Sequence, residues 1–360
     1  MSKVELPFQR ALTKRCPVAI FGANRWRDAA ADRSAFASIS RRKLVTAWIG
    51  SDNSNPLRRT VGRGARNAHI EGNRMADSPE IVGSLEDVSK AYSAILCDVW
   101  GVVHNGEWHF PAAAAALARA RAAGVPVVLI TNSPRRSADV VAQMSAIGVP
   151  PSAYDRVVTS GDVTRDLIAE GPRKVFHIGA DRDLTLYDGL DVDLVEEFEA
   201  ASVVCTGLFN DEVEKPEDYA DLLRRLRARN LPFICANPDI MVERGERIIW
   251  CAGALARDYA QLGGRTLIAG KPYAPVYDVA MKEVAEVLGR PVERSRILAI
   301  GDGMMTDVKG AADNGFDVLY VSGGIHARDY GDASRPDPAK LGLFLERHGY
   351  RPVAVMVRLQ

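Results

Sequence analysis

The sequence has few cysteines, no excess of charge of either sign and no long apolar run. Its 360 residues include 5 cysteines, and none of them forms a Cys-x-x-Cys pair. Cys97, Cys205 and Cys235 lie within apolar segments, where a free cysteine behaves as a small hydrophobic residue. This pattern argues against a disulfide framework and fits a reducing compartment, so we expect a cytoplasmic protein.

The composition also points to neither a membrane nor a nucleic acid as a partner. The apolar stretch AAAAALARARAAGVPVVLI is interrupted by Arg119 and Arg121, so it is a poor candidate for a membrane span. The 46 Lys and Arg residues equal the 46 Asp and Glu residues in number, so the net charge indicates no polyanionic or polycationic partner.

The balanced charge conceals a basic N-terminal segment. Residues 1–74 carry 15 Lys and Arg against 5 Asp and Glu, a net charge of +10, without a sustained helical or strand period. Such a segment can bind nucleic acid or a membrane surface, and its arginine content also suggests a targeting peptide. We expect instead an extension that is disordered or not native: either translation begins at Met75 or the segment is a dispensable tail.

From Ala94 onward, short apolar runs alternate with helical patterns. The segments AILCDVW, VPVVLIT and RVVTS are predicted strands, and PAAAAALARARAAG is a predicted helix with Pro111 near its start and Gly124 at its end. Continuous apolar strands between helices predict an α/β fold with a parallel, doubly wound sheet. We place this sheet in residues 75–160 and 267–360, and a second α/β unit in residues 161–266.

Polar side chains follow several of the predicted strands. In an open parallel sheet, ligands bind outside the carboxyl ends of the strands, so these side chains are expected to converge if their strands are neighbours. They are Asp98 after AILC, Thr131 and Asn132 after VVLI, Lys271 after LIAG, Asp302 after ILAIG, and Asp307 at the next helix start.

These residue types suit phosphoryl chemistry. Clustered carboxylates repel one another and need a cation, and an all-oxygen set of ligands suits Mg²⁺. An aspartate can attack phosphorus to form an aspartyl-phosphate, while Thr131 can donate a hydrogen bond to a phosphoryl oxygen and Lys271 can balance its charge. Backbone amides at Asn132 and Gly303 lie where helices begin and are suited to anions. Taken singly, Asp98 and Asp307 would more simply be capping residues.

The order and spacing of these residues resemble the four motifs of the haloacid dehalogenase (HAD) superfamily of hydrolases. Asp98 matches the first motif, Thr131 the second and Lys271 in GKP the third. Asp302 and Asp307 in GDGMMTD match the fourth. The block between the second and third motifs resembles the α/β cap of subfamily IIA, which includes nucleotide, pyridoxal-phosphate and phosphoglycolate phosphatases. The resemblance covers about residues 92–326.

The resemblance implies a Rossmann-like HAD core with an inserted α/β cap, and a Mg²⁺-dependent hydrolase of small phosphorylated metabolites that forms a homodimer. It also implies roles for individual residues. Asn237 and Asp239, in ICANPD, match a cap segment and are candidates for substrate binding, although they can equally shape a turn. The implied metal ligands are Asp98, the carbonyl of Trp100, Asp302 and Asp307, and the implied phosphoryl contacts are Thr131, Asn132, Lys271 and Gly303.

Trp100 departs from the family pattern. Phosphatases of this superfamily usually have Asp-x-Asp-Gly, in which the second Asp protonates the leaving group, whereas this sequence has Asp-Val-Trp-Gly. An indole cannot transfer that proton, and such a group typically contributes about 10²–10⁴-fold in rate. The haloacid dehalogenases themselves have an aromatic residue here, in Asp-x-Tyr-Gly, but they use no metal.

Three explanations of Trp100 stay open. His104 or His109 can replace the acid if the segment after Gly101 folds inward. The protein can instead be a phosphate-ligand-binding or regulatory protein with impaired catalysis. It can also be a hydrolase of reactive substrates, such as acyl phosphates, whose leaving groups need no proton.

Overall fold

The computed structural model describes residues 80–360, so the expectations for residues 1–74 and for Met75 lie outside the described residues. The helices are α1 (Glu86–Ser89), α2 (Pro111–Ala122), α3 (Ser137–Ala146), α4 (Ser160–Ala169), α5 (Ala220–Ala228), α6 (Ala252–Gln261), α7 (Ala274–Leu288), α8 (Lys309–Asp313) and α9 (Pro338–His348). The strands are β1 (Ala94–Asp98), β2 (Val127–Thr131), β3 (Arg156–Thr159), β4 (Lys174–Ile178), β5 (Asp193–Leu194), β6 (Ser202–Cys205), β7 (Phe233–Cys235), β8 (Met241–Arg244), β9 (Arg247–Trp250), β10 (Thr266–Ile268), β11 (Ile297–Gly301), β12 (Asp317–Val321), β13 (Gly331–Asp332), β14 (Arg335–Pro336) and β15 (Ala354–Met356).

The first sheet is parallel and is buried on both faces. Its strand order is β15-β12-β11-β1-β2-β3, with β1 between β11 and β2. Alternate side chains of β1 enter different cores, Ile95 and Cys97 with residues of α2, and Ala94 and Leu96 with residues of α7. Helices therefore cover both faces, as the continuous apolar strands predict.

The second sheet is formed by the chain between β3 and β11. Its strands are parallel and lie in the order β10-β7-β6-β4-β5. Two parallel sheets with helices, the second inserted into the chain of the first, confirm the predicted α/β class, the Rossmann-like core and the inserted α/β cap.

The predicted boundary at residue 267 falls inside β10. This strand pairs with β7 through Leu267 and Ile234, so it belongs to the second sheet. The expectation that Lys271 follows a strand of the first sheet is therefore wrong. A short apolar run followed by glycine predicts a strand equally well in either sheet, because its partner is chosen by tertiary packing.

An antiparallel hairpin of β8 and β9 was not predicted. Its register pairs Met241 with Trp250 and Arg244 with Arg247, across a two-residue turn that begins at Gly245 with φ of +61°. A glycine at the first position of a two-residue turn is a hairpin signal, which MVERGERIIW contains. No helix within residues 80–360 is long and apolar enough to cross a membrane.

Candidate active site

Lys271 joins two carboxylates at the carboxyl edge of the first sheet. Its Nζ lies 2.6 Å from Oδ1 of Asp307 and donates a second hydrogen bond to Oδ1 of Asp98. All three side chains are buried. Burial alone would lower the pKa of Lys271, but the charges of Asp307 and Asp98 outweigh it and raise that pKa well above its usual value.

Asp302 completes a cluster of three carboxylates. One oxygen of each of Asp98, Asp302 and Asp307 lies within 4.8 Å of the other two. Burial raises the pKa of Asp98 well above its usual value and that of Asp302 to about 7, and the charge of Asp307 adds to both effects. One lysine cannot balance three buried carboxylates, so the donor set fits a hard divalent cation with oxygen ligands.

Glycines let the backbone approach these carboxylates. Gly101 has φ of +84°, and a Cβ added there would lie 2.3 Å from Oδ2 of Asp302. A Cβ on Gly324 would lie 1.9 Å from the same oxygen. The amide of Ile325 donates to that oxygen (2.8 Å), so the Asp302 carboxylate is held in one orientation between two loops.

Asp307 projects from a single π-helical turn, Met304–Val308, that precedes α8. The amides of Asp307 and Val308 both donate to the carbonyl of Gly303, over 2.8 and 3.1 Å. In return, the amide of Gly303 donates to Oδ2 of Asp307 (3.0 Å). π-helical turns are frequent at functional sites because they re-aim one side chain within a helix.

Asn132 connects the first sheet to the second. Its Oδ1 accepts from the amide of Lys271 (2.7 Å), and its Nδ2 donates to Oδ1 of Asp239 (2.9 Å). Asn237 accepts from the amide of Asp239 (3.1 Å), which is the turn geometry considered from the sequence. Thr131, at the end of β2, accepts from the amide of Ser133 (3.2 Å).

Two cavities meet at Trp100. The first has a volume of about 280 Å³ and contains Asp98, Lys271, Asn132, Gly303 and the other two carboxylates in its lining. The second has a volume of about 290 Å³ and contains Asn237, Arg135, Arg182 and Arg244 in its lining. Trp100, Thr131, Asp239 and Val242 line both cavities. All predicted site residues therefore line one cavity or the other.

The β8–β9 hairpin forms a wall of the first cavity. Met241, Val242 and Glu243 all contribute to its lining, and the indole Nε1 of Trp100 donates a hydrogen bond to the carbonyl of Glu243. Arg358, near the C-terminal end, also lines this cavity, with its guanidinium 5.4 Å from the ring centroid of Phe110. The turn signal at Gly245 could have revealed the hairpin, whereas no sequence motif marks Arg358.

The structure does not bring either candidate histidine into the first cavity. His104 is buried with its ring edge-on to Trp100, centroids 5.1 Å apart, and its Nδ1 accepts from the amide of Gly106 (2.9 Å). Burial lowers the pKa of His104 to about 4, so the ring is neutral at neutral pH. His109 donates from Nδ1 to the carbonyl of Ile147 (2.9 Å). Neither ring is positioned to replace the missing acid.

Family models and relatives agree with this architecture. A haloacid dehalogenase-like hydrolase model matches residues 95–193, and a HAD-hydrolase-like model matches residues 268–341. The 5'-nucleotidase YutF of Bacillus subtilis (strain 168) is 26% identical over 246 residues, which cover 67% of this chain and 91% of the relative. An acid sugar phosphatase of Staphylococcus aureus (strain USA300) is 25% identical over 246 residues, which cover 66% of this chain and 88% of the relative.

A solved structure shows greater similarity. A hydrolase of the haloacid dehalogenase-like family from Brucella suis 1330 is 66% identical to this chain, with a TM-score of 0.71. The match covers 78% of this chain and 100% of that one. With two parallel sheets and the carboxylate cluster at the edge of the first, the chain belongs to the haloacid dehalogenase-like hydrolases.

Proposed function

We propose that this hydrolase is a Mg²⁺-dependent phosphatase that acts on a small phosphorylated metabolite. The observation that carries this proposal is the position of Asp98, a buried carboxylate at the end of a central strand that lines a cavity with two more carboxylates and Lys271. Relatives named as a 5'-nucleotidase and an acid sugar phosphatase support the same reaction class.

Asp98 is the proposed nucleophile. One of its carboxylate oxygens attacks phosphorus while the bond from phosphorus to the leaving oxygen breaks, and an aspartyl-phosphate forms. Water then attacks this phosphorus, the bond to Asp98 breaks, and inorganic phosphate is released. Lys271 balances charge on the phosphoryl group, and Thr131 together with the amide of Asn132 supplies hydrogen bonds to its oxygens. The amide of Gly303 donates to Asp307 instead, so Gly303 contributes to the wall of the cavity and not to this set of donors.

The proposed metal ligands are Asp98, Asp302, Asp307 and the backbone carbonyl of Trp100. The fit rests on the three carboxylate oxygens within 4.8 Å of one another and on the raised pKa values of Asp98 and Asp302. A bound cation would lower both pKa values, because its charge stabilises the carboxylates. Bound Mg²⁺ would neutralise charge on these carboxylates and on the phosphoryl group.

Trp100 favours a second candidate, a hydrolase of substrates with reactive leaving groups. The indole at this position donates its only N–H to Glu243, so it has no proton for a leaving oxygen. The leaving groups of acyl and aryl phosphates depart without protonation. These substrates would then be hydrolysed much faster than alkyl phosphates.

The test is release of inorganic phosphate from alkyl, aryl and acyl phosphates, with Mg²⁺ and with chelator. Asp98→Asn is the matched control because it keeps the shape of the side chain and removes the nucleophile. Mg²⁺-dependent release that disappears in this variant supports the phosphatase. A protein that binds Mg²⁺ but releases no phosphate from any of these substrates would instead be a binder of phosphorylated ligands.

A further inference from the structure

Hydrolysis of an alkyl phosphate needs a proton donor, which neither Trp100 nor the two histidines provide. We propose that Asp239, on the loop between β7 and β8, is the general acid and base of this enzyme. The inference rests on the proposed phosphatase function and adds a catalytic residue to it.

Position singles out Asp239 among the acidic residues. Asp98, Asp302, Asp307 and Glu243 line only the first cavity, and Asp183 and Asp211 line only the second. Asp239 is the one titratable residue within residues 80–360 that lines both. A phosphoryl group at Asp98 occupies the first cavity, so a leaving group that extends into the second places its bridging oxygen at the junction, where Asp239 lies.

The second cavity is suited to the rest of the substrate. Trp100 and Trp250 supply apolar ring surfaces, and the guanidinium of Arg244 is held by Asp211 (2.7 Å). Thr206 also contributes to the lining of this cavity.

The surroundings of Asp239 suit proton transfer. Asn132 donates to Oδ1 of Asp239, which fixes the carboxyl and leaves Oδ2 available. Burial raises the pKa of Asp239, and the charge of Asp307 adds to this effect, while Lys271 and the Asn132 hydrogen bond oppose it. Asn132 also accepts from the amide of Lys271, so the acid, the lysine and the nucleophile Asp98 belong to one connected network.

The proton balance of both steps can be written for Asp239. As Asp98 attacks phosphorus, the protonated Asp239 gives its proton to the leaving oxygen, an alcohol departs, and Asp239 becomes a carboxylate. In the second step this carboxylate takes a proton from the water that attacks phosphorus. The bond from phosphorus to Asp98 then breaks, phosphate is released, and Asp239 is protonated again.

The test compares Asp239→Asn with wild type on glycerol 3-phosphate and on p-nitrophenyl phosphate, with Mg²⁺. The alkyl phosphate needs a proton on its leaving oxygen, so its kcat should fall by about 10²–10⁴-fold. The nitrophenolate leaves without a proton, so the variant should release p-nitrophenol in a burst equal to the enzyme concentration. Slow turnover should follow, because water is no longer activated to cleave the aspartyl-phosphate.

Glu243→Gln is the matched control, since Glu243 is a carboxylate that lines the first cavity alone. This substitution should leave the ratio of the rate on glycerol 3-phosphate to the rate on p-nitrophenyl phosphate unchanged. Asp239→Glu, which restores a carboxyl group, should recover part of the alkyl phosphatase activity, and equal Mg²⁺ binding by all variants would show that they are folded.

Equal losses of activity on both substrates without a burst would overturn the role of Asp239. A selective loss of alkyl phosphatase activity in Glu243→Gln would overturn it as well. Either result would leave the proposed phosphatase function intact. If the wild type releases no phosphate from either substrate, the proposed function fails and this inference fails with it.

Discussion

The indole N–H of Trp100 donates a hydrogen bond to the backbone carbonyl of Glu243, so the loop after β1 is tied to the β8–β9 hairpin. The same ring contacts His104 edge-on and lies against Gly106, where an added Cβ would be 2.5 Å from the indole. A residue at the position where relatives in this superfamily usually carry an acid therefore joins the core to the hairpin that lines the cavity of Asp98.

Trp100→Phe should loosen this connection. The substitution keeps an aromatic ring but removes the N–H, so we expect a loss of about 1 kcal/mol in the free energy of unfolding. Hydrogen exchange should also become faster at the backbone amides of the β8–β9 hairpin. The control is Trp250→Phe, because Trp250 lies on that hairpin and its indole N–H donates to no other residue in the range 80–360. Equal effects of the two substitutions would argue against the hydrogen bond as the connection.

Gly101→Ala should impair metal binding. Its added Cβ would lie 2.3 Å from the Asp302 carboxylate, so that side chain must move, and we expect Mg²⁺ affinity to fall by about tenfold or more. Gly124→Ala is the control for backbone strain. Gly124 also has a positive φ, +87°, but a Cβ added there would have no other atom within 4 Å and therefore no clash. Both variants should lose stability, and calorimetric titration with Mg²⁺ should show weaker binding only for Gly101→Ala.

Binding of Mg²⁺ should weaken as the pH falls below about 7. Burial and the charge of Asp307 raise the pKa of Asp302 to about 7, so protons compete with the cation for this carboxylate below that pH. For one displaced proton, the apparent affinity should fall about tenfold per pH unit. Calorimetry in buffers with different ionisation enthalpies will count the protons released. The same affinity at about pH 6 and 8 would contradict the prediction.

Acid should destabilise the fold through His104. Burial lowers the pKa of His104 from 6.5 to about 4, so between these values the unfolded chain binds a proton that the folded protein does not. The contribution of His104 to the free energy of unfolding is therefore greatest above pH 6.5 and falls as the pH approaches 4, by about 3 kcal/mol in total.

Urea unfolding of wild type and His104→Gln across this pH range will measure the effect. The difference between the two curves isolates His104, because Asp302 titrates in both proteins and its raised pKa gives a slope of the opposite sign. Parallel curves would mean that His104 does not contribute.

Local patterns in the sequence were enough to predict the central strands and their flanking helices. The continuous apolar runs of β1 and β2 require burial on both faces, and Pro111 and Gly124 mark the ends of α2 closely. The β8–β9 hairpin was missed because its strands are partly exposed, so the apolar pattern is weak and the glycine turn was the main signal.

By itself, the sequence determined the parallel α/β core and the polar residues at its carboxyl edge, because strand burial and strand ends are local properties of the chain. Tertiary structure alone decided that β10 joins the second sheet and that Lys271 reaches back to Asp98 and Asp307. It also decided that Trp100 faces a hairpin and that Asp239 lies between two cavities. These relationships join residues that are far apart in the chain, and such pairs are selected by packing and charge between whole elements, which no local pattern records.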